Sequence, residues 1–377
     1  MKFNSKVLFI TALVLCCLIA IIIVNSKKDN ETSDFEVNVA CNLPMTGYIG
    51  YYGEWIQHGL ELGKADIESE ANELGIKFVF DYQDNKGETK DAITIFQKQA
   101  VTSPDVYMSG ITSQTMSILD QIHKKGFLQV MWSWTPLELD ANQKDFRCWV
   151  NYGVEGKHIA EYCLSKNPQK VAYLHLDILG AKVQCDQVVV PALKKQNPDV
   201  NIYIEEFPVE TSNFRDIATK VKNFDADVIV VSGFKEHILN ITKDFQAYNI
   251  DKKKVLCSMD LLDALEEASD EMLEDFHVTA PAFNIEELQS EKTKAWIAKF
   301  AKENGKQPTY TEAYGYDAMF ALFEAAKISK KENISLADAF KKVDVEGVTG
   351  QIKFDANGEL KDNLHIGVFH GGKLVKE

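Results

Sequence analysis

Short apolar runs alternate along the chain with longer segments whose apolar residues recur every three or four positions. Runs of the first kind predict buried strands, and segments of the second kind predict helices. Before residue 150 the predicted strands are 37–43, 76–82, 106–108 and 127–131, and the predicted helices are 55–67, 89–102 and 112–125. Strands that alternate with helices across short turns predict a parallel sheet with helices on both faces.

The same order begins again after Phe146. This second part has predicted helices at 156–165, 184–196, 214–224 and 238–248, and predicted strands at 171–176, 202–207, 227–234 and 254–257. Two further helices, 286–304 and 312–329, precede a hairpin-like pattern formed by residues 350–354 and 365–370. The chain therefore consists of two similar α/β halves.

Two turns of the first half are rich in hydroxyl groups. Thr112, Ser113 and Thr115 stand where a helix begins after one predicted strand, and Ser133 and Thr135 follow the next strand. Parallel strands bring both turns to the same carboxyl edge, where open α/β sheets bind ligands. Free N–H groups at a helix N-terminus suit a carboxylate. The alternative is that these side chains are turn and capping residues without a ligand.

Length and charge narrow the classes of function. A chain of 377 residues is long enough for two domains, and its 45% hydrophobic content is ordinary for a globular protein. The net charge of −15 argues against a nucleic-acid partner, because phosphate binding needs a concentrated basic surface.

The amino terminus predicts export. Lys2 and Lys6 precede an apolar run at residues 7–24, which is typical of an export signal or of an anchor that spans a bilayer. A lipoprotein cleavage site at Cys16 would have the large Leu15 before it. Cleavage, lipidation and retention as a membrane anchor all stay open. We expect the protein in the periplasm or on the outer face of the cytoplasmic membrane.

The chain lacks the motifs of common enzymes and metal sites. It has no GxGxxG, phosphate-binding P-loop, HExxH or GxSxG sequence, and its eight His residues are not spaced as metal ligands. We therefore expect no catalysis, no cofactor and no metal. Five cysteines beyond the amino-terminal segment form no CxxC pair, which favours buried free thiols over disulfides or zinc: Cys41, Cys148, Cys163, Cys185 and Cys257.

Four stretches, in order along the chain, resemble the type I periplasmic binding proteins, the branched-chain amino-acid receptors of ABC transporters. The first is LPMTG at 43–47 followed by Tyr52-Gly53, and the second is residues 110–136. The third is YGYDA at 314–318, and the fourth is GVTGQIKFDANG at 347–358. Together they span residues 36–377.

This resemblance implies a fold of two Rossmann-like lobes with parallel sheets, joined by three crossovers, that close on a central ligand cleft. Lobe one would hold residues 35–150 and 283–343, and lobe two residues 151–282 and 344–377. Residues 1–34 would be the signal or anchor with a polar tether. The expected partners are a small-molecule ligand and the permease subunits of an ABC transporter, and the receptor is expected to be a monomer.

The resemblance also implies which groups hold the ligand. In lobe one the carboxylate contacts map to Thr112, Ser113, Ser133 and Thr135, and Tyr52 maps to the mouth of the cleft.

In lobe two, Leu179 and Phe234 map to positions at which the family often has an aromatic residue. Asp260 maps to the acid that binds the ligand's ammonium. A buried ammonium needs a charged partner, so an acid there is reasonable, although Asp260 is also a plausible helix N-cap.

Departures from the family pattern concern the size and polarity of the pocket. Trp132 and Trp134 flank Ser133 where the family has small residues or proline, and Leu179 and Phe234 lack hydroxyl groups. They favour a larger, apolar or aromatic ligand, or a cation stacked on indole. Because alternate residues of a strand face opposite ways, we expect at least one of the two tryptophans to line the cleft.

The function that the resemblance implies is a solute-binding receptor of an ABC importer for an amino acid, branched-chain or otherwise apolar or aromatic, or a related small carboxylate or amide. The alternative is a membrane-tethered sensor of the same fold that signals through a partner membrane protein. We expect capture of the ligand without chemistry.

Overall fold

The computed structural model describes residues 35–134, 139 and 144–377. The predicted export segment and Thr135 lie outside these residues. Within the described ranges, no helix is both long enough and apolar enough to cross a membrane.

A first sheet of five parallel strands forms the centre of lobe one. Its order is β2-β1-β3-β4-β5, so the chain starts near the middle and the later strands are added towards one edge. The strands are β1 (Phe35–Leu43), β2 (Ile76–Asp84), β3 (Val106–Gly110), β4 (Leu128–Trp132) and β5 (Asp145–Arg147). The side chains of β3 and β4 are buried throughout, as expected for strands covered on both faces.

A second sheet of seven strands forms the centre of lobe two, in the order β14-β13-β10-β9-β8-β6-β7. The strands are β6 (Lys170–Leu176), β7 (Asn201–Phe207), β8 (Val228–Ser232), β9 (Val255–Cys257), β10 (His277–Pro281), β13 (Leu364–His370) and β14 (Lys373–Lys376). Strands β6 to β10 are parallel to one another, while β13 pairs antiparallel with β10 and β14 pairs antiparallel with β13 at one edge. Two short strands, β11 (Asp344–Glu346) and β12 (Gln351–Lys353), pair separately with each other.

Helices cover both sheets. They are α1 (Gly50–Glu73), α2 (Thr89–Gln99), α3 (Thr112–Lys125), α4 (Tyr152–Ser165), α5 (Leu179–Val183), α6 (Val190–Gln196), α7 (Arg215–Phe224), α8 (Lys235–Ala247), α9 (Asp270–Leu273), α10 (Glu291–Asn304), α11 (Tyr310–Glu332) and α12 (Leu336–Phe340). A π-helical segment, Gln184–Val189, joins α5 to α6, and a 3-10 helix, Met259–Ala264, follows β9.

The predicted two-lobed α/β fold is confirmed, with one error near the carboxyl terminus. The predicted hairpin between residues 350–354 and 365–370 is wrong, because β12 pairs with β11 whereas β13 pairs with β10 and β14. The partner of a strand is decided by distant parts of the chain, and the local pattern did not contain that information.

The long helix α11 returns the chain to lobe one, where it packs on α1. A Cβ atom on Gly59 would overlap the carbonyl oxygen of Glu312 and lie 2.8 Å from the amide nitrogen of Tyr316. Only glycine therefore permits this distance between the two helix backbones. Because α11 packs in lobe one and β13 joins the second sheet, the chain passes between the lobes three times. The exact lobe boundaries stay a prediction.

The GVTG loop at residues 347–350 is held by the YGYDA segment of α11. The carboxylate of Asp317 accepts hydrogen bonds from the amides of Val348 and Thr349, both at 2.8 Å, and from the Thr349 hydroxyl at 2.6 Å. Two of the stretches that carried the family resemblance are thus bonded to each other.

The five cysteines of the described residues are free and buried, which confirms the prediction. Burial raises the pKa of each thiol, so these groups are unreactive thiols of the core.

Replacement of Gly59 by Ala should lower the free energy of unfolding by about 3 kcal/mol or more, because overpacking here pushes backbone against backbone. Alanine is the better helix former, so the intrinsic propensity works against this loss. Urea unfolding of Gly59→Ala beside Glu68→Ala, an exposed position of the same helix, measures the effect. Equal stability of the two variants would contradict the proposed close contact.

Candidate functional site

A cavity of about 460 Å³ lies between the two lobes, at the carboxyl edges of their parallel strands. Both lobes contribute walls, and the lining is mostly apolar. Six of the lining residues are aromatic: Tyr52, Trp132, Trp134, Trp149, Phe234 and Tyr310. Apolar pockets with a few convergent polar groups are the usual form of small-molecule sites.

The first turn of α3 forms the polar part of the lobe-one wall. Thr112 and Ser113 line the cavity, as does the buried Gln114. Within the described residues, the backbone amides of these three positions have no hydrogen-bond acceptor, and the N-cap, Ile111, offers no side-chain oxygen. The helix therefore presents free N–H groups and the positive end of its dipole to the cavity.

The second predicted turn contributes in a different way from the first. Ser133 is buried and does not line the cavity, and its hydroxyl has no partner among the described residues. Trp132 and Trp134 on either side of it both line the cavity. The amide of Trp134 donates to the Thr112 hydroxyl at 3.0 Å, which joins the two turns.

Thr115 does not reach the cavity either. It is buried, and its hydroxyl lies 2.8 Å from that of Ser109 in β3. It therefore belongs to the packing of α3 on the sheet.

Lobe two supplies Leu179, Phe234 and Asp260, all of which line the cavity. Leu179, the first residue of α5, is 53% exposed and lies at the rim. Phe234 precedes α8, and its ring meets that of Tyr52 across the cleft at 6.5 Å in a T-shaped arrangement.

Asp260 joins the lobes directly. One carboxylate oxygen accepts a hydrogen bond from the Tyr52 hydroxyl at 2.8 Å, and the other accepts from the Ser258 hydroxyl at 2.9 Å. Ser258, not Asp260, is the N-cap of the 3-10 helix, so the capping alternative is wrong.

Burial raises the pKa of Asp260 to about 6, and the nearby carboxylate of Glu155 adds to the shift. The hydrogen bonds from Tyr52 and Ser258 oppose it. Asp263, one helical turn away, has its pKa raised well above the usual range by burial and by Asp260. A cationic group in the cavity would relieve the cost of ionising Asp260.

Glu155 is a site residue that sequence reasoning missed. It lines the cavity from the first turn of α4. One of its oxygens accepts from the amide of Met259 at 3.1 Å and from the Thr279 hydroxyl at 2.6 Å, and the other accepts from Gln184 at 3.1 Å. It therefore fixes the turn that carries Asp260. An acid in the first turn of a helix is common on protein surfaces, so no local pattern marked it.

Trp149 was also missed. It lies between β5 and α4, where the chain first leaves lobe one, and its ring lies 5.5 Å from those of Tyr310 and Tyr314 and 6.3 Å from that of Tyr52. An isolated aromatic residue in a connecting segment gives no periodic signal.

The charge of the cavity has one sign. Glu155 and Asp260 are its charged lining residues, and no Lys, Arg or His side chain of the described chain lines it. No group of three or more His, Cys, Asp and Glu residues that could hold a metal occurs in the described ranges. The cavity thus combines mostly apolar walls with free N–H donors on lobe one and two carboxylates on lobe two, an arrangement that can hold an apolar molecule with a negative and a positive group.

Comparison with known proteins gives a consistent family. The sequence model of a family described as periplasmic binding protein matches residues 36–370. The Leu/Ile/Val-binding protein of Citrobacter freundii is 24% identical over 340 residues, which cover 89% of this chain and 90% of that protein.

Two solved structures illustrate the likeness of fold. LivJ, a branched-chain amino acid transporter substrate binding protein from Streptococcus pneumoniae in complex with isoleucine, has a TM-score of 0.74 at 21% identity. The alignment covers 90% of this chain and 97% of LivJ. An ABC transporter solute binding protein from Rhodopseudomonas palustris BisB5, in complex with 3,4-dihydroxybenzoic acid, has a TM-score of 0.77 at 17% identity. That alignment covers 91% of this chain and 96% of the other.

Replacement of Asp260 by Asn should stabilise the ligand-free protein at pH 8 by about 1–2 kcal/mol. Its pKa rises from 3.8 in the unfolded chain to about 6 in the fold, so ionisation in the fold carries a cost. This cost is absent below the unfolded pKa, grows as the pH rises towards 6, and is constant above it. The expected free-energy difference is smaller than the full pKa shift implies, because part of the Asp260 side chain faces the cavity.

Urea unfolding at pH 8 and pH 4 measures this gain, after partial unfolding and refolding to remove bound ligand. The gain should fall below about 1 kcal/mol at pH 4, where the wild-type carboxyl is protonated in the fold. Asp186→Asn, at an exposed carboxylate, is the control. A loss of stability at both pH values would show that the carboxylate is well compensated without a ligand.

Proposed function

Because the chain belongs to the type I periplasmic binding proteins of the branched-chain amino-acid receptor family, we propose that it captures a bulky apolar amino acid, with an aromatic side chain as the first choice, for an ABC importer. The protein is a substrate-binding protein of a transporter and not an enzyme. The observation that carries the choice of ligand is the cavity itself, with its indole and phenyl walls between a free helix N-terminus and a buried carboxylate.

The ammonium of the ligand is assigned to Asp260. The cavity has two carboxylates and no cationic side chain among its described lining residues, so it favours a ligand with a positive group. Glu155 already accepts three hydrogen bonds, whereas each oxygen of Asp260 accepts one side-chain hydrogen bond and retains a free acceptor position. Asp260 is therefore the better partner.

The carboxylate of the ligand is assigned to the first turn of α3. The free amides of residues 112–114 supply donors and the positive end of the helix dipole, and the hydroxyls of Thr112 and Ser113 lie in the same wall. A contact between Ser133 and the ligand's carboxylate stays a prediction, and the burial of Ser133 argues against it. Thr135 lies outside the described residues.

The side chain of the ligand is assigned to the aromatic walls. Trp132, Trp134 and Trp149 provide flat surfaces, and Phe234 and Leu179 add apolar contacts from lobe two. Aromatic rings prefer offset or edge-to-face contacts with one another, which adds about 0.5–1.5 kcal/mol per pair beyond buried area. An aliphatic side chain gains only the burial.

Closure of the lobes is the proposed mechanism. Ligand would bind lobe one through α3, and lobe two would then bring Asp260 to the ammonium and to Tyr52 together. Contacts that form only on closure drive the change, because a ligand shifts an equilibrium only by its differential affinity for the two states. Residues 1–34 would direct export, and their retention as a tether stays a prediction.

An aromatic acid without an amine is the second candidate ligand, favoured by the fold shared with the protein that holds 3,4-dihydroxybenzoic acid. Such a ligand would satisfy α3 and leave Asp260 buried beside Glu155 without a cation. Because of the charge of the cavity, we therefore consider an aromatic acid a weaker candidate than an amino acid.

Four matched compounds should separate these ligands. L-phenylalanine should bind more tightly than L-leucine, which lacks the ring. It should also bind more tightly than 3-phenylpropanoate, which lacks the ammonium, and phenethylamine, which lacks the carboxylate. We expect the loss of the ammonium or of the carboxylate to weaken binding by about 2–5 kcal/mol, because each removes one partner of a charge pair. Calorimetric titration and the rise in melting temperature with ligand measure this order.

Tighter binding of 3-phenylpropanoate than of L-phenylalanine would remove the role of Asp260 and support the aromatic acid. Tighter binding of L-leucine than of L-phenylalanine would contradict an aromatic side chain of the ligand and would still support an amino acid. Absence of detectable binding for all four compounds would contradict both ligand classes.

The affinity for the amino acid should fall on acidification below about pH 6, by up to tenfold per pH unit. Only the ionised carboxylate of Asp260 attracts the ammonium, and its pKa in the ligand-free protein is about 6. Asp260→Ala should weaken binding by about 2–5 kcal/mol at pH 8. It should also abolish the pH dependence, and a variant that keeps the wild-type profile would place the titrating group elsewhere.

A further inference from the structure

The first turn of α5, in lobe two, lies against Trp134 of lobe one at a distance that only glycine allows. A Cβ atom on Gly180 would lie 2.8 Å from the indole Cε3 of Trp134 and 3.0 Å from its carbonyl oxygen. Gly180 is not among the residues with positive φ, so its backbone conformation would accept any residue. The requirement for glycine comes from the contact and not from the helix.

The contact spans the cleft. Gly180 and Trp134 both line the cavity, and Gly180 is buried although its neighbour Leu179 is largely exposed. Trp134 is anchored to lobe one by the hydrogen bond from its amide to Thr112, in the turn assigned to the ligand's carboxylate. This bond fixes the backbone of Trp134, so a side chain at residue 180 would have to turn the indole aside or separate α5 from lobe one.

We infer that Gly180 and Trp134 form a closing contact, and that the absence of a side chain at residue 180 determines how far the lobes close and how large a ligand they enclose. This inference rests on the proposed function, since it takes the cavity as the ligand site. Any side chain at residue 180 would act as a spacer between the lobes. A spacer weakens every contact that forms only on closure, including the bond between Tyr52 and Asp260.

A spacer has a signature that a purely structural glycine lacks. Alanine favours a helix more than glycine does, so Gly180→Ala should not destabilise α5 itself. The effect of Gly180→Ala should depend on the indole that the new Cβ meets. Removal of the indole should therefore remove most of the effect, since only the carbonyl oxygen of Trp134 then stays near residue 180. Two residues in contact are expected to be non-additive in this way.

The test is a double-mutant cycle in the full chain, read as the dissociation constant for L-phenylalanine. Gly180→Ala should weaken binding at least tenfold. The same substitution in a Trp134→Ala background should change binding less than twofold. Lys182→Ala, at an exposed position of α5, should leave binding unchanged. An equal loss in both backgrounds, or no loss in either, would overturn the inference.

A second measurement keeps the test independent of the choice of ligand. Spin labels at Lys90→Cys and Ser212→Cys, exposed positions on the cleft side of each lobe, report the distance between the lobes. The two cysteines within residues 1–34 are replaced by serine for this purpose.

In the ligand-free protein the shortest label distances come from the closed arrangement, in which Gly180 meets Trp134. Gly180→Ala should shift these shortest distances to longer values, and Trp134→Ala added to it should reverse the shift. Unchanged distances would overturn the closing contact. A shift together with no binding of L-phenylalanine would support the contact and reject only the proposed ligand.

Discussion

The site depends on the carboxylate of Asp260, which accepts hydrogen bonds from both lobes. Tyr52 donates to it from lobe one and Ser258 from lobe two, while Glu155 holds the turn on which it stands. Burial beside a second carboxylate makes its ionised form costly, as its raised pKa shows. An ammonium that enters the cleft removes this cost and leaves the Tyr52 bond in place. Ligand binding would therefore favour lobe closure, and closure would strengthen ligand binding.

The aromatic walls extend this coupling to the connecting segments. Trp149 lies on the first crossover and contacts Tyr52 on one side and Tyr314 on the other. The hydroxyl of Tyr314 in turn donates to Asn363, just before β13, at 2.9 Å. The wall of the cavity is thus continuous with the segments that must bend if the lobes move. A change of the ring at Trp149 would alter the wall of the pocket together with the contacts of the crossover.

Local pattern predicted the elements that position the site, and failed where distant parts of the chain meet. The helix α3 and its stop at Gly126, which has a left-handed backbone, could be predicted from spacing and a glycine. The alternation rule predicted that at least one of the two tryptophans lines the cleft, and both do, because β4 ends at Trp132 and Trp134 lies beyond the pleated strand. Glu155 and Trp149 gave no signal, since only the tertiary fold brings them to Asp260 and Tyr52.

The arrangement of charge would also explain how a site whose described lining holds no cationic side chain could select a zwitterion, as we propose. The positive end of α3 belongs to lobe one and the carboxylate of Asp260 to lobe two, so the electrostatic dipole of the cavity spans the boundary between the lobes. An amino acid placed along that dipole attracts both lobes at once. A ligand with one charge satisfies one lobe and leaves the other with a buried group uncompensated. Selectivity would then arise at closure, and a weak first contact with either lobe alone would be no disadvantage.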